Sequence, residues 1–148
     1  MQLLIRPISP PDQPIAQQLI QEGLGSRFGH IDYSMNPDLN DIQASYIDRG
    51  HHFFVAEVAG EIVGTCALTN EAAGIGRIQR MSVHPAWQGN GFARQMTRFL
   101  IQTARELGMH QLLVETNNSW ESALRLYKTS GFIETHRDGV EVHMAQQL

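Results

Sequence analysis

The chain has 148 residues, 42% of them hydrophobic, a formal net charge of −4 and a single cysteine, Cys66. That length suits one domain, 1–148, with a real core. One cysteine excludes an internal disulfide framework, no basic stripe of the kind nucleic acid requires is visible, and no apolar run reaches the roughly 18 residues of a membrane helix. Met1–Ile5 is too short, and Arg6-Pro7 too early, for a secretory signal. The expected compartment is therefore the cytoplasm, with no nucleic-acid or membrane partner.

Leu3–Arg6 reads as a first strand, ended by Pro7. Asp12 can cap a helix that carries Ile15, Leu19 and Leu24 on one face. The stretch Gly25–Pro37 is rich in Gly, Asn and Asp and reads as a long loop, a kind of segment that often carries function. Leu39, Ile42 and Tyr46 have the spacing of a second, short helix. Phe53–Val58 and Glu61–Thr69 flank Ala59-Gly60 as a β-hairpin, Glu71–Gly76 is the next turn, and Ile78–Val83 is a fourth strand stopped at His84-Pro85. A glycine-containing loop, Trp87–Gly91, leads into a helix from Phe92 to about Leu107, with Gly108 as its stop. Gln111–Thr116 is a fifth strand. Asn118 and Glu121 have the spacing of a capping pair for a helix that presents Trp120, Ala123, Leu124 and Tyr127 and ends at Gly131. Phe132–Thr135 and Val140–Met144 close the chain as a hairpin through Asp138-Gly139. Together these make a mixed α/β (α+β) domain with no evident linker.

The segment from Ile78 to Ala93 is strand, loop and helix. A loop entering a helix leaves backbone N–H groups without partners, and together with the helix dipole these favour an anion. Gly89 and Gly91 let the backbone turn tightly beside a ligand, small Ala93 leaves room over the first turn, and Arg94 can add a cation. A diphosphate-bearing cofactor suits that arrangement, although two glycines alone fit a plain turn equally well. The rival fingerprint G-x-G-x-x-G breaks, because its third glycine falls at Arg94. Glu115, at the end of the next strand, does mimic the ribose-binding acid of that fingerprint.

Gln88-Gly89-Asn90-Gly91-Phe92-Ala93 resembles the Q/R-x-x-G-x-G/A signature of the GNAT N-acetyltransferase superfamily, and Arg80–Pro85 resembles the strand before it. Leu113–Asn117 and Ala123–Phe132 resemble the second motif of that family, A-x-x-L-Y-x-x-x-G-F. The resemblance implies a sheet of about seven strands with four helices, splayed between strands four and five. It implies acetyl-CoA as acyl donor, no metal, and an amine of a small molecule or peptide as acceptor. It places the pyrophosphate on the amides from about Gly89 to Arg94 (Gly89, Asn90, Gly91, Phe92, Ala93 and Arg94) and the pantetheine arm along the backbone of Met81 and Val83, with Gln88 and Ser82 also in the cofactor-binding set. Asn117 and Asn118 fall where the family often contacts CoA, with helix capping the alternative for Asn118. Family habit also allows a homodimer.

The implied chemistry is attack of a neutral amine on a thioester. Spacing alone makes Tyr127 a core aromatic; the motif makes it the general acid for the leaving thiolate, with a phenol near 10 against a thiol near 8.5. A backbone N–H near Met81 or Ser82 would serve the oxyanion. The strand-four positions that hold a glutamate in many members read Arg77 and Gln79 here. Glu115 ranks first among the other candidate bases, with a solvated strand-end carboxylate or a partner for Arg80 as the alternatives. Glu71, Asp32, His143 and a water chain follow. Trp120 stands where many members have an asparagine. Cys66 reads as core, His51-His52 lacks partners at metal-ligand spacing, and the arginines on the Arg94–Arg105 helix read as a solvated face. His30, Asp32 and Tyr33 form a polar, aromatic cluster expected beside the acceptor, with Asp32 either an ammonium partner or a turn residue. Two other functions fit parts of the pattern: a CoA-binding sensor without turnover and a dinucleotide-binding oxidoreductase.

Overall fold

The structure is a computed structural model and describes residues 2–29 and 35–148. Its strands are β1 (Leu4–Pro7), β2 (His52–Val58), β3 (Glu61–Ala72), β4 (Ile75–Val83), β5 (Gln111–Asn117), β6 (Ile133–Asp138) and β7 (Glu141–Gln147). Its helices are α1 (Gln13–Phe28), α2 (Ile42–Ser45), α3 (Phe92–Glu106) and α4 (Glu121–Thr129). The strands form one sheet in the order β1-β2-β3-β4-β5-β7-β6. Every neighbouring pair is antiparallel except β4 with β5. This mixed sheet is not the doubly wound parallel sheet that carries a dinucleotide fingerprint.

Side chains alternate across each strand, so each face of the sheet collects its own core. On one face Ile78, Leu112 and Val114 pack with Met96, Leu100 and Ala104 of α3. On the other, Val55 and Ala67 pack with Ala16 and Ile20 of α1, Leu39, and Ile42 of α2. The central stretch of β3, Val63–Leu68, is buried throughout because both faces are covered there.

The parallel pairing of β4 with β5 lasts for three residues, ending at Arg77 opposite Leu113. Both strands then continue, β4 to Val83 and β5 to Asn117, without pairing to each other. The splay between strands four and five lies here. β5 stays satisfied on its other edge, where it pairs with β7 along its whole length.

Several local expectations are corrected. The loop expected from Gly25 begins only at Gly29, because α1 runs through to Phe28. Gly23 within the helix serves close approach rather than termination: a Cβ there would sit 3.2 Å from Ser82 Oγ, so α1 presses directly on β4. Gly29, at φ 82°, is the residue that ends the helix. The helix expected around Leu39, Ile42 and Tyr46 is realised as the four-residue α2 between two 3-10 turns, Pro37–Asn40 and Ile47–Arg49. The turn read as Glu71–Gly76 is tighter, since β3 reaches Ala72 and β4 starts at Ile75. Asn118 does not cap α4; Trp120 holds that position, and the Asn118 N–H donates to Val140 O at 2.8 Å.

Asp12 also makes no side-chain cap to α1. It accepts instead from Arg6 Nη1 at 2.7 Å and Nη2 at 3.0 Å, and from the Ser9 N–H and hydroxyl at 2.8 and 2.9 Å. These bonds tie β1 to the start of α1. Arg6 above all, against the opposing effect of burial, lowers the Asp12 carboxyl from 3.8 to about 2. A depressed carboxyl stabilises the fold above its ordinary value and loses that contribution as pH falls through the folded one. With Arg6 partly solvated, roughly 1–2 kcal/mol of unfolding free energy should disappear between about pH 4 and pH 2. Urea titrations across that range should show a shallower acid limb in Asp12→Asn; an unchanged limb would assign the loss to other groups.

Candidate active site

β4 carries a bulge where the sheet parts. Thr65 faces Ser82 and Ala67 faces Gln79, so Arg80 and Met81 together oppose Cys66. Arg80 sits at φ 53°, a left-handed conformation that costs an ordinary residue about 1–2 kcal/mol. Side chains hold it there. Thr65 Oγ1 donates to Arg80 O at 2.8 Å. The Arg80 guanidinium bonds Asp38 through Nη2 at 2.7 and 2.8 Å and through Nε at 3.1 Å, and reaches Asn36 Oδ1 at 3.2 Å. The Tyr46 hydroxyl joins the cluster by donating to Asp38 at 2.5 Å, and burial, then Asp38, pushes its phenol up to about 12. A bulge bends its strand, and this one lies just past the last β4–β5 pair.

The splay opens into a cleft of about 710 Å³, bordered by α1, β4, the loop after it, β5 and α4. The loop is braced from within. Gln88 Nε2 donates to Val83 O at 3.1 Å, Asn90 Nδ2 to Trp87 O at 2.9 Å, and His84 Nδ1 accepts from the Ala86 N–H at 3.1 Å. Gly89 and Gly91 have φ of 84° and 77°, and a Cβ on either would meet nothing within 4 Å. Backbone conformation rather than crowding calls for glycine at both. Gly91 is the N-cap of α3, and no side chain caps that helix. Its first-turn N–H groups therefore face the cleft as open donors, which fits a diphosphate. Phe92 contributes backbone only, since its ring is buried with Val58 and Val63.

Met81, Ser82, Val83, Gln88, Gly89, Phe92, Ala93, Arg94, Glu115 and Tyr127 all border the cleft. Asn90, Asn117 and Asn118 do not. The Asn117 side chain instead accepts from the Ser119 N–H at 2.9 Å. Arg94 sits at the rim, with Nη2 donating to Thr129 Oγ1 at 2.8 Å. The sequence does not disclose the contribution of α1, because its glycine-containing last turn reads as loop. Arg27 lies 4.4 Å from the centre of the Trp120 ring and Phe28 meets the same ring edge-on at 5.5 Å, so α1 and α4 touch across the cleft.

Tyr127 lies on α4, 5% exposed, with its ring edge-on to Phe132 at 5.7 Å. Its hydroxyl has no partner among the described residues. Burial, with a smaller push from Cys66, raises the phenol well above its ordinary value, while Arg27 pulls it down. Cys66 is itself fully buried, and burial pushes its thiol up.

Glu115 faces the other side of the splay. Its partner is Arg77, whose Nη1 bonds Oε2, and not Arg80. Arg77 Nε donates to Glu71 Oε1 at 2.6 Å. Arg77, Ile78, Gln79, Arg80 and Glu115 line an adjoining recess of about 400 Å³, which shares all of these but Arg77 with the cleft. His143, opposite Glu115 on β7, stacks on His136 at 4.1 Å. Among the described residues no group of three or more His, Cys, Asp or Glu is placed to hold a metal. No helix among them is long and apolar enough to cross a membrane. The expected cluster of His30, Asp32 and Tyr33 lies outside the described residues.

The chain resembles known proteins in sequence and in shape. It is 28% identical over 137 residues to the uncharacterized N-acetyltransferase YjgM of Escherichia coli, covering 87% of this chain and 81% of that one. Mouse N-acetyltransferase 8 is 32% identical over 119 residues, 76% of this chain and 52% of that one. The chain thus spans about half the length of its mammalian relative. The PaiA N-acetyltransferase of Thermoplasma acidophilum, solved in complex with coenzyme A, superimposes with a TM-score of 0.88 over 100% of both chains at 14% identity. The profile of the acetyltransferase (GNAT) domain matches residues 49–134, which takes in the parted strands, the glycine loop and α4. The chain belongs to the GNAT family of N-acetyltransferases.

Proposed function

We propose that the protein moves the acetyl group of acetyl-CoA to a primary amine of a small molecule or peptide by direct attack. The observation that carries this reading is the convergence of an uncapped helix start, an unpaired strand edge and Tyr127 on one cleft. Open first-turn amides of α3 suit the pyrophosphate. Beyond Arg77, the edge of β4 that faces β5 has no strand partner, so its N–H and C=O groups are free to pair with the amide-bearing pantetheine arm. An N–H at Met81 or Ser82 would receive the oxyanion.

Tyr127 is the proposed acid. Its raised phenol keeps its proton at neutral pH, so it meets the leaving sulfur as a hydrogen-bond donor and releases the proton as charge develops there. That same rise makes the transfer less balanced than free phenol and thiol values would give. Glu115, which borders the cleft on the parted end of β5, is the proposed base. Arg77 occupies its Oε2, which leaves Oε1 to accept from the incoming ammonium and pass the proton towards water. The dinucleotide alternative loses its ground in the sheet topology and in the family membership.

Acetyl-CoA should raise the Tm by several degrees at about a hundredfold excess over Kd, where binding adds about 2.7 kcal/mol. Gly91→Trp should remain folded, about 1–2 kcal/mol weaker because of its left-handed φ, and lose that shift. A full shift in the variant would place the cofactor elsewhere.

Tyr127→Phe should keep the acetyl-CoA shift and lower kcat by about 10- to 10,000-fold. Because the phenol titrates above its ordinary value, the kcat of the parent protein should show no alkaline fall due to Tyr127 below about pH 10. Unchanged kcat in the variant, or a fall near pH 8 that it abolishes, would remove the assignment.

A further inference from the structure

The acceptor-side cavity has a charge pattern that its position alone does not require. Ile78, Leu112 and Val114 point into the core beneath α3, so Arg77, Gln79 and Glu115, at alternating positions, face the opposite side of the sheet. The bulge at Arg80 turns its side chain to that same side, where Asp38 and Tyr46 hold it. At about 400 Å³ the cavity takes a small molecule or the end of a chain.

Counted as a cluster, the region has two guanidiniums, Arg77 and Arg80, against three carboxylates, Glu71, Glu115 and Asp38. That sum would favour a cationic acceptor. The lining decides otherwise. Glu71 and Asp38 do not border the cavity; they anchor the arginines from behind, while among the described residues both guanidiniums and one carboxylate, Glu115, border it. The anchors also leave donors over. Arg77 commits Nε and Nη1, and Arg80 commits Nε and Nη2. Arg77 Nη2 and Arg80 Nη1 have no acceptor among the described residues. An acceptor with several positive charges would meet two cations at this wall, whereas one bearing a carboxylate as well as an ammonium would find a partner for each.

Resting on the acetyl-transfer reading above, we infer that the acceptor is an amine that carries its own carboxylate, of the α-amino acid class. Its carboxylate is received by Arg77 and Arg80 and its ammonium by Glu115. Arg77 and Glu115 are in direct contact, so the two recognition poles are adjacent. That spacing matches an α-amino acid better than an amine whose carboxylate sits several carbons away. A guanidinium fixed by a carboxylate behind it is preorganised for such an anion. In the transfer the acceptor ammonium gives one proton to Glu115 and then water, its nitrogen attacks and forms the C–N bond, a second proton leaves that nitrogen by the same route, the C–S bond breaks, and the sulfur takes the proton of Tyr127, which is later restored from solvent, so that one proton is released overall. The products are an N-acetyl amino acid and CoA.

The test uses the full chain with acetyl-CoA and three acceptor sets: free α-amino acids, their carboxamides, and the corresponding decarboxylated amines. Carboxamides have less basic amines, so more of the nucleophile is neutral near pH 7, and without carboxylate recognition they should react faster. The expected result is the reverse, with kcat/KM about tenfold to a hundredfold lower for the carboxamide and the amine than for the best amino acid. Arg77→Gln should raise KM for that amino acid about tenfold, leave KM for acetyl-CoA unchanged, and erase the preference over the carboxamide. Equal or faster turnover of carboxamides or simple amines overturns the inference, as does an absence of turnover with all three sets while acetyl-CoA still raises the Tm. An absence of any acetyl-CoA shift overturns the acetyl-transfer reading itself.

Discussion

Two parallel strands that stop pairing halfway along leave a row of backbone donors and acceptors with nothing to bond. Buried groups of that kind are costly, so the parting of β4 from β5 after Arg77 and Leu113 is the constraint around which the rest of the structure is arranged. On their far edges both stay paired, β5 with β7 along its whole length and β4 with β3 on either side of the bulge. What remains open is the gap-facing edge of each strand and the start of α3, and all of them border the same cleft. The chemistry of an amide-bearing cofactor with a diphosphate follows from those unpaired groups more directly than from any single side chain.

The gap has two unlike sides. Towards α3 and α4 it is bordered by glycine-loop backbone, Tyr127 and apolar side chains. Towards α1 it is bordered by Leu19, Ile20 and Gly23, and by Gln79, Arg80 and Glu115 where it meets the recess that Arg77 completes. The arginine anchors do structural work too. Asp38 and Asn36 belong to the segment leading into α2, so Arg80 ties that segment to the bulge across 42 and 44 positions of sequence. Strain at the left-handed Arg80 is thereby offset by an ion pair that is only partly exposed, in the way strained residues persist where their surroundings over-determine them.

Much of this was legible in the sequence, for physical reasons that differ by segment. The strands from β2 to β5 announce themselves through runs such as Phe53–Val58 and Leu112-Leu113-Val114, and α3 through its apolar face with Gly108 behind it. The glycine loop could be read because left-handed backbone at Gly89 and Gly91 has a residue signature. The end of α1 could not. Gly23 and Gly25 look like helix breakers, and only contact with Ser82 on β4 reveals that Gly23 serves close packing. The ion pairs were equally hidden, since nothing in the spacing tells Glu115 to choose Arg77 over Arg80. That choice follows from the bulge, which turns Arg80 towards Asp38 and leaves Arg77 beside Glu115.

The contact of Arg27 and Phe28 with Trp120 joins the last turn of one helix to the cap of another, 92 positions apart between Phe28 and Trp120. Helix ends fray readily when little holds them, and here much of the holding is done by a ring on the opposite bank of the cleft. Whatever fills the space beneath that bridge also supports it from below. Amide protons in the final turn of α1 should therefore exchange with solvent more slowly in the filled state than in the empty one, although that turn donates nothing to the cofactor loop. The same bridge limits how wide the cleft mouth can be without breaking an aromatic contact.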